Sequence, residues 1–265
     1  MIRFGFMSQL IKLERSGAVI EMVLCHAEKR NALGPEMLAQ MNIALDEIGS
    51  MAEVKVLILR SEGSVFSAGA DLQHLMNLNQ FDYEQNLEDS HNMRVVFDKL
   101  MFMQKIVISA VAGPALAGGC GLANLADIVW ASESATFGFP EVKIGFVPAL
   151  VSIYLRKRIR GSAIRELTMS GEVITSTMAK EIGMVNKVVS DESLLTEVRA
   201  YAQKLAESIS LEAAIMTKSL LLDTHSMPRG EALDYAEDVN ARSRETEDWK
   251  KGISAFLNKE PLKWN

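Results

Sequence analysis

Residues 114–126 read P-A-L-A-G-G-C-G-L-A-N-L-A. An apolar, β-branched run, Ile106–Val111 (IVISAV), precedes them, and a second, Asp127–Ala131 (DIVWA), follows. The order reads as strand, tight turn of small residues, short buried helix, strand. Gly118, Gly119 and Gly121 have no Cβ, so a neighbouring backbone can come close to them. A helix that begins near Gly118 or Gly119 leaves its first N–H groups without intrahelical acceptors, at the positive end of its dipole. Such donors suit a phosphate or a developing oxyanion. Plain helix-on-sheet packing through small residues gives the same pattern, so this stretch alone leaves both readings open.

A second stretch of the same kind narrows the choice. Lys55–Arg60 (KVLILR) is a short buried strand, and Ser61–Leu72 (SEGSVFSAGADL) is a loop of small residues. In one sheet, the loops after residues 60 and 111 emerge at the same edge and turn backbone N–H groups into one pocket. Two convergent donors stabilise an enolate or tetrahedral oxygen, and losing one costs ~3 kcal/mol.

Working outward, Ala18–Leu24 is strand-like and Lys29–Leu33 (KRNAL) is a polar turn. Gly34-Pro35 suits a helix entry, and Met37, Leu38, Met41, Leu45 and Ile48 then recur at helical spacing. Gln73–Tyr83 reads as polar and mobile, and Glu84–Met103 as a long helix. Ser132–Gly145 is a polar loop with a short strand. Pro148–Arg160 is a helix whose basic end, RKRIR, reads as a solvated cap. Helices at Ala163–Ser170 and Ser176–Ile182 and a strand at Met184–Val189 follow. From Asp191 onward only helices are expected. The chain is thus α/β, with a mixed core over 1–190 and a helical region over 191–265.

Composition excludes several classes. The 265 residues are 48% hydrophobic and 23% charged, as in ordinary soluble globular proteins. A net charge of −6 without a long basic run argues against nucleic acid as a partner. Two cysteines, Cys25 and Cys120, argue for a reducing compartment over a disulfide framework. No apolar run nears ~18 residues, so no membrane span is expected. The N-terminus reads without a signal peptide, which points to a cytoplasmic protein. Met7 is a candidate start, with MIRFGF upstream of it.

Several catalytic signatures are absent. There is no phosphate-binding G-x-x-x-x-G-K-[ST], no H-E-x-x-H and no C-x-x-C. The histidines, His26, His74, His91 and His225, are far apart, so no catalytic metal is expected. G-G-C-G fits a dinucleotide fingerprint poorly. V-F-S-A-G at 65–69 falls short of the nucleophile elbow G-x-S-x-G, because Val65 stands where the elbow needs its first glycine.

F-S-A-G-A-D-L at 66–72, A-G-G-C-G-L-A at 117–123 and F-P-E at 139–141 together resemble the signature of the crotonase (enoyl-CoA hydratase/isomerase) superfamily. K-R-N-A-L at 29–33 and G-I-S-A-F-L-N-K at 252–259 are similar to that family as well, so the resemblance spans almost the whole chain. It implies a ββα-spiral core, a C-terminal helical trimerisation region, and a homotrimer or dimer of trimers. It implies an acyl-CoA thioester as substrate, with coenzyme A carried by the substrate and no separate cofactor. By position, the oxyanion donors are the N–H groups of Ala70 and Gly118. The loop Ala68, Asp71, Leu72, with Arg30 and Ala32 beside it, holds the nucleotide and pantetheine arm. Phe256 and Lys259 match the pair that meets the adenine and 3′-phosphate, often of a neighbouring subunit.

Hydratases of this family resemble one another in two glutamates. One matches Glu141; the other falls on Gly121, which has no side chain. Glu141 stands among Phe139, Pro140 and Val142, a setting that raises a buried carboxyl's pKa and suits proton transfer. The family resemblance points to enoyl-CoA hydration. The missing acid points to Δ3,Δ2 double-bond isomerisation, which a single carboxylate can perform. A catalytically silent acyl-CoA-binding protein is the rival of a different class. His74, four residues past Ala70, is a candidate second acid–base. Cys120 reads as a small buried hydrophobe and Asp71 as a helix cap. Gly121→Glu is expected to raise hydration.

Overall fold

The computed structural model describes residues 9–264; the candidate start Met7 lies outside them. In chain order the elements are strands β1 (Ile11–Ser16) and β2 (Val19–Leu24), helix α1 (Pro35–Ser50), β3 (Val56–Ser61), α2 (Leu72–Leu78), α3 (Tyr83–Met101), β4 (Ile106–Val111), β5 (Ala115–Leu116), α4 (Gly118–Asn124), β6 (Ile128–Ser132) and β7 (Thr136–Gly138). Then follow α5 (Ala149–Leu155), α6 (Gly161–Ser170), β8 (Val173–Thr175), α7 (Ser176–Glu181), β9 (Lys187–Val189), α8 (Leu194–Ser208), α9 (Leu211–Asp223), α10 (Arg229–Ser243) and α11 (Glu247–Asn258).

The main sheet has the order β1-β2-β3-β4-β6-β9; β1 pairs antiparallel with β2 and every other pair is parallel. Parallel strands covered on both faces read as continuous apolar runs, which is how VIEMVL, VLILRS and IVISAV read. The period-2 alternation sorts these residues onto two cores. Leu57, Leu59, Val107 and Val111 join the core under α1, α3 and α4. Val56, Ile58, Ile108 and Ala110 join Leu194, Val198, Ala202 and Ala206 of α8. So α8, the first helix of the region 191–265, covers this face along β2, β3, β4 and β6.

Glu21 follows the same alternation and points toward α8. It accepts from Arg60 Nε (2.5 Å) and from Arg199 Nη2 of α8 (2.9 Å). Burial raises its carboxyl's pKa, but the bonds from Arg199 and Arg60 outweigh burial and hold it below the ordinary value.

A second, three-stranded sheet, β5-β7-β8, stands beside the main one. Leu116 of β5 lies opposite Gly138 of β7, and the Ala117 N–H donates to the Gly138 carbonyl (2.8 Å). This sheet ties the turn at 114–118 to the segment that carries Glu141. Neighbouring parallel strands exit a sheet at the same edge, so the loops after β3 and β4 emerge side by side, as read from the sequence.

Three expectations need correction. Gln73–Tyr83 is not simply mobile: Leu72–Leu78 is helical, because the Asp71 carboxylate accepts from the His74 N–H (3.0 Å) and caps the first turn. Helix α5 stops at Leu155, short of the expected Arg160. The basic run beyond it is not merely a solvated cap. Arg158 donates to the Met184 carbonyl, the Ala126 carbonyl and Asn186 Oδ1 (2.7–2.9 Å), and burial pulls its pKa down to about 10. Strand β8 was unreadable from its short, exposed sequence VIT.

The turn depends on absent methyls. A Cβ on Gly119 would stand 2.6 Å from Ser67 Cβ and Oγ. Overpacking of that kind costs about 1–3 kcal/mol. Gly119→Ala is therefore expected to lower the thermal unfolding midpoint, as read by calorimetry.

Candidate active site

The two loops interlock. Ser67 bridges Ala115 in parallel register, and the Leu116 N–H donates to the Ser67 carbonyl (2.9 Å). Gly69 sits at φ +85, where a Cβ would lie 2.7 Å from Ala117 Cβ and 3.2 Å from Gly118 N. Only glycine meets both demands. Ala117 itself adopts φ +50 and ψ −127 as the N-cap of α4. A residue with a Cβ in that region carries strain of order 1–3 kcal/mol.

The two expected donors are aimed by their own peptide planes. The Gly69 carbonyl accepts from the Leu33 N–H (2.7 Å), and the Ala117 carbonyl accepts from the Gly121 N–H (3.1 Å). A trans peptide sets N–H opposite C=O. With both carbonyls held, the N–H groups of Ala70 and Gly118 point the other way, and Gly118 opens a helix whose first N–H groups lack intrahelical acceptors. Leu33 Cδ1 and Met93 Cε lie 3.5 and 3.7 Å from where a Gly118 Cβ would stand, so hydrocarbon packs against this residue. A low-dielectric surrounding strengthens such donors.

Glu141 lies three residues past Gly138 on a 3-10 turn, Pro140–Ile144. Its side chain is buried, and Oε2 has no hydrogen-bond partner among the described residues. Burial pushes its carboxyl above the ordinary glutamate range. Its charge also reaches the thiol of Cys120 on α4, a thiol that burial pushes well up, which fits a buried hydrophobe rather than a nucleophile. An unpaired buried carboxyl can move a proton at a carbon next to a carbonyl that preorganised N–H donors polarise.

Gly121 stands one turn along α4. A Cβ there would fall inside Val151 Cγ1, 3.1 Å from Val151 Cβ and 3.3 Å from Phe97 Cε2. Hydrocarbon from α3 and α5 thus fills the position where a second acid was looked for. A glutamate introduced there by itself has no room, so the expectation that Gly121→Glu raises hydration is corrected: the change requires Val151 to be trimmed as well.

Arg30 and Asn31 adopt left-handed conformations at φ 53 and φ 51, and the Arg30 carbonyl accepts from the Ala68 N–H (3.0 Å). Ala32 is buried, so its side chain offers nothing to a ligand. Asp71 caps α2 and pairs with Lys29 at 3.2 Å. Burial raises its pKa, but the bonds from the His74 N–H and Lys29 outweigh burial and leave it lowered. Leu72 is 79% exposed at the rim.

Phe256 and Lys259 sit at the exposed end of α11, away from the loops in sequence, with Lys259 left-handed at φ 55. His74 is turned from the site. Its Nε2 pairs with Asp89 Oδ1 of α3 at 2.6 Å, and both line a cleft of about 490 Å³ that includes none of Ala70, Gly118 or Glu141. Asn31, Leu33 and Val151 were missed as site-shaping residues. The Asn of K-R-N-A-L was the one available signal, since Asn tolerates the left-handed region.

Comparison with known proteins identifies the family and the fold. A family model described as enoyl-CoA hydratase/isomerase matches residues 14–265. A Thermus thermophilus protein, named provisionally as an enoyl-CoA hydratase, is 36% identical over 95% of this chain and 99% of its own. The 2,3-dehydroadipyl-CoA hydratase of Escherichia coli is 31% identical over 96% of this chain and 97% of its own. The crystal structure of an enoyl-CoA hydratase from Shewanella pealeana superposes with a TM-score of 0.91 at 29% identity, covering 97% of this chain and 96% of that one.

Glu141→Gln is expected to cut turnover by ~10²–10⁴-fold in steady-state assays. It should also change stability with a defined sign. A carboxyl whose folded pKa is raised favours the fold at low pH and loses that contribution as pH rises through the raised value. The variant should therefore unfold at a higher temperature than wild type at neutral pH, with the gap closing as pH falls toward ~4.3, the ordinary glutamate value.

Proposed function

Because the chain belongs to the enoyl-CoA hydratase/isomerase family, we propose that it hydrates a conjugated enoyl-CoA thioester, using Glu141 as its one acid–base. The thioester oxygen rests on the N–H groups of Ala70 and Gly118. Glu141 takes a proton from water as the oxygen of that water adds to Cβ. The electron pair moves to the thioester oxygen as an enolate, and the same carboxyl returns the proton to Cα. The observation that carries this reading is the buried Glu141 Oε2 without a partner, on the segment tied through Gly138 to the start of α4. The hydratase names of the full-length relatives support the choice of reaction.

A second reading has its own observation. Val151 and Phe97 pack against Gly121, so no second carboxylate stands there to position water. That favours a double-bond shift, in which Glu141 removes a proton from one carbon and returns it to another. In either reaction the loop at 68–72, with Arg30, carries the pantetheine arm. Lys259 of a neighbouring subunit in a homotrimer, or in a dimer of trimers, meets the 3′-phosphate as a point charge. Among the described residues no helix is long and apolar enough to cross a membrane.

Two substrates separate the readings. With crotonyl-CoA, hydration removes the absorbance of the conjugated thioester. With 3-hexenoyl-CoA, isomerisation creates it. The expected outcome is loss on the first substrate, abolished in Glu141→Gln. Gain on the second alone establishes isomerisation. No change on either, with acyl-CoA still bound in calorimetry, identifies a silent binding protein.

A further inference from the structure

Ser67 belongs to a near-miss of the nucleophile elbow, and the proposed chemistry leaves it without a role. It is 0% exposed. Its Oγ donates to the Asn31 carbonyl (2.8 Å) and accepts from the Gly69 N–H (3.3 Å). An oxygen so engaged and so enclosed does not attack a substrate. Its partner is rigidly held. Asn31 is fully buried, its Nδ2 donates to the Glu62 and Val65 carbonyls (2.9 and 2.8 Å), and its Oδ1 accepts from the His26 N–H (2.8 Å).

Both peptide groups that meet at Gly69 are therefore tied to the segment 31–33. The N–H side is tied through Ser67 Oγ to Asn31. The C=O side is tied to the Leu33 N–H at 2.7 Å. The second of these peptide groups carries the Ala70 N–H. Gly69, at φ +85, has the widest backbone freedom in the loop, and these two bonds remove it. The pocket of Ser67 is closed by Gly119, where a Cβ would already sit 2.6 Å from Ser67 Oγ, so a branched or longer-chain residue at 67 does not fit.

We propose that Ser67 is a positioning residue for the reaction: by relaying the Asn31 carbonyl to the Gly69 N–H, its hydroxyl fixes the direction of the Ala70 N–H. This rests on Ala70 and Gly118 being the donors to the thioester oxygen. Deleting the hydroxyl leaves the shape of the site and frees the Ala68–Gly69 peptide, so that the bond from Leu33 alone holds the next one; the loss falls on the transition state more than on substrate binding.

The test is infrared spectroscopy of butyryl-CoA, carbon-13 labelled at the thioester carbonyl and bound to wild type, Ser67→Ala and Ser67→Cys. In wild type the bound C=O stretch is expected below that of free butyryl-CoA. Ser67→Ala should return most of the way to the free frequency. Ser67→Cys, which keeps a weak S–H donor, should fall between. In parallel, kcat on crotonyl-CoA should fall ~10–100-fold in Ser67→Ala, with KM within about 3-fold of wild type. A folded Ser67→Ala with the wild-type stretch overturns the proposal, as does a wild-type kcat. If Ser67→Ala does not fold, Ser67→Cys with the unaltered wild-type stretch overturns it. No lowering in wild type itself is a different failure: it removes the oxyanion reading, and this proposal with it.

Discussion

The contact on which the site depends is backbone against backbone, where Gly69 crosses Ala117 and Gly118. At this crossing two loops from neighbouring parallel strands meet closely enough that a single methyl on Gly69 would stand 2.7 Å from Ala117 Cβ. The closeness brings the peptide after Gly69 next to the first N–H of α4, from distant parts of the chain. Its cost is visible in Ala117, held at φ +50. The surroundings that hold it there are the β5–β7 pairing and the first turn of α4. Strain retained at such a junction is a common feature of functional sites.

From this crossing the rest of the architecture follows. The parallel sheet makes the two loops emerge together. The small second sheet binds the turn after β4 to the strand before Glu141. Helices α3 and α5 supply Met93, Phe97 and Val151 as an apolar wall along α4. That wall gives the first turns of α4 hydrocarbon neighbours, and a low-dielectric surrounding strengthens N–H donors; Glu141, on the segment after β7, is buried with an unpaired oxygen. At Gly121, where a second acid was looked for, valine occupies the space.

Much of this was legible in the sequence, for stated reasons. IVISAV and KVLILR read as buried strands because parallel strands covered on both faces are uniformly apolar. The glycines of G-G-C-G announced a close approach, although not what approached. Gly121 showed a missing acid but not its replacement, because Val151 lies on another helix and no local pattern links the two. Ser67 read as a failed nucleophile because its partners, Asn31 and Gly69, are known only from the fold. Helix α2 was hidden by its polarity: its stability comes from the Asp71 cap rather than from an apolar face. Arg158 read as a solvated charge because its carbonyl acceptors come from residues 126 and 184.

The central claim is that one acceptor is shared by two backbone N–H groups with one carboxyl beside it. A crystal structure with an unreactive acyl-CoA, such as butyryl-CoA, tests it most directly. The account predicts the thioester oxygen within ~3.1 Å of both Ala70 N and Gly118 N. It also predicts the Glu141 carboxylate within hydrogen-bond reach of the Cα–Cβ edge, or one water from it. A thioester oxygen turned away from that pair of nitrogens, with Glu141 facing no part of the acyl group, would contradict it.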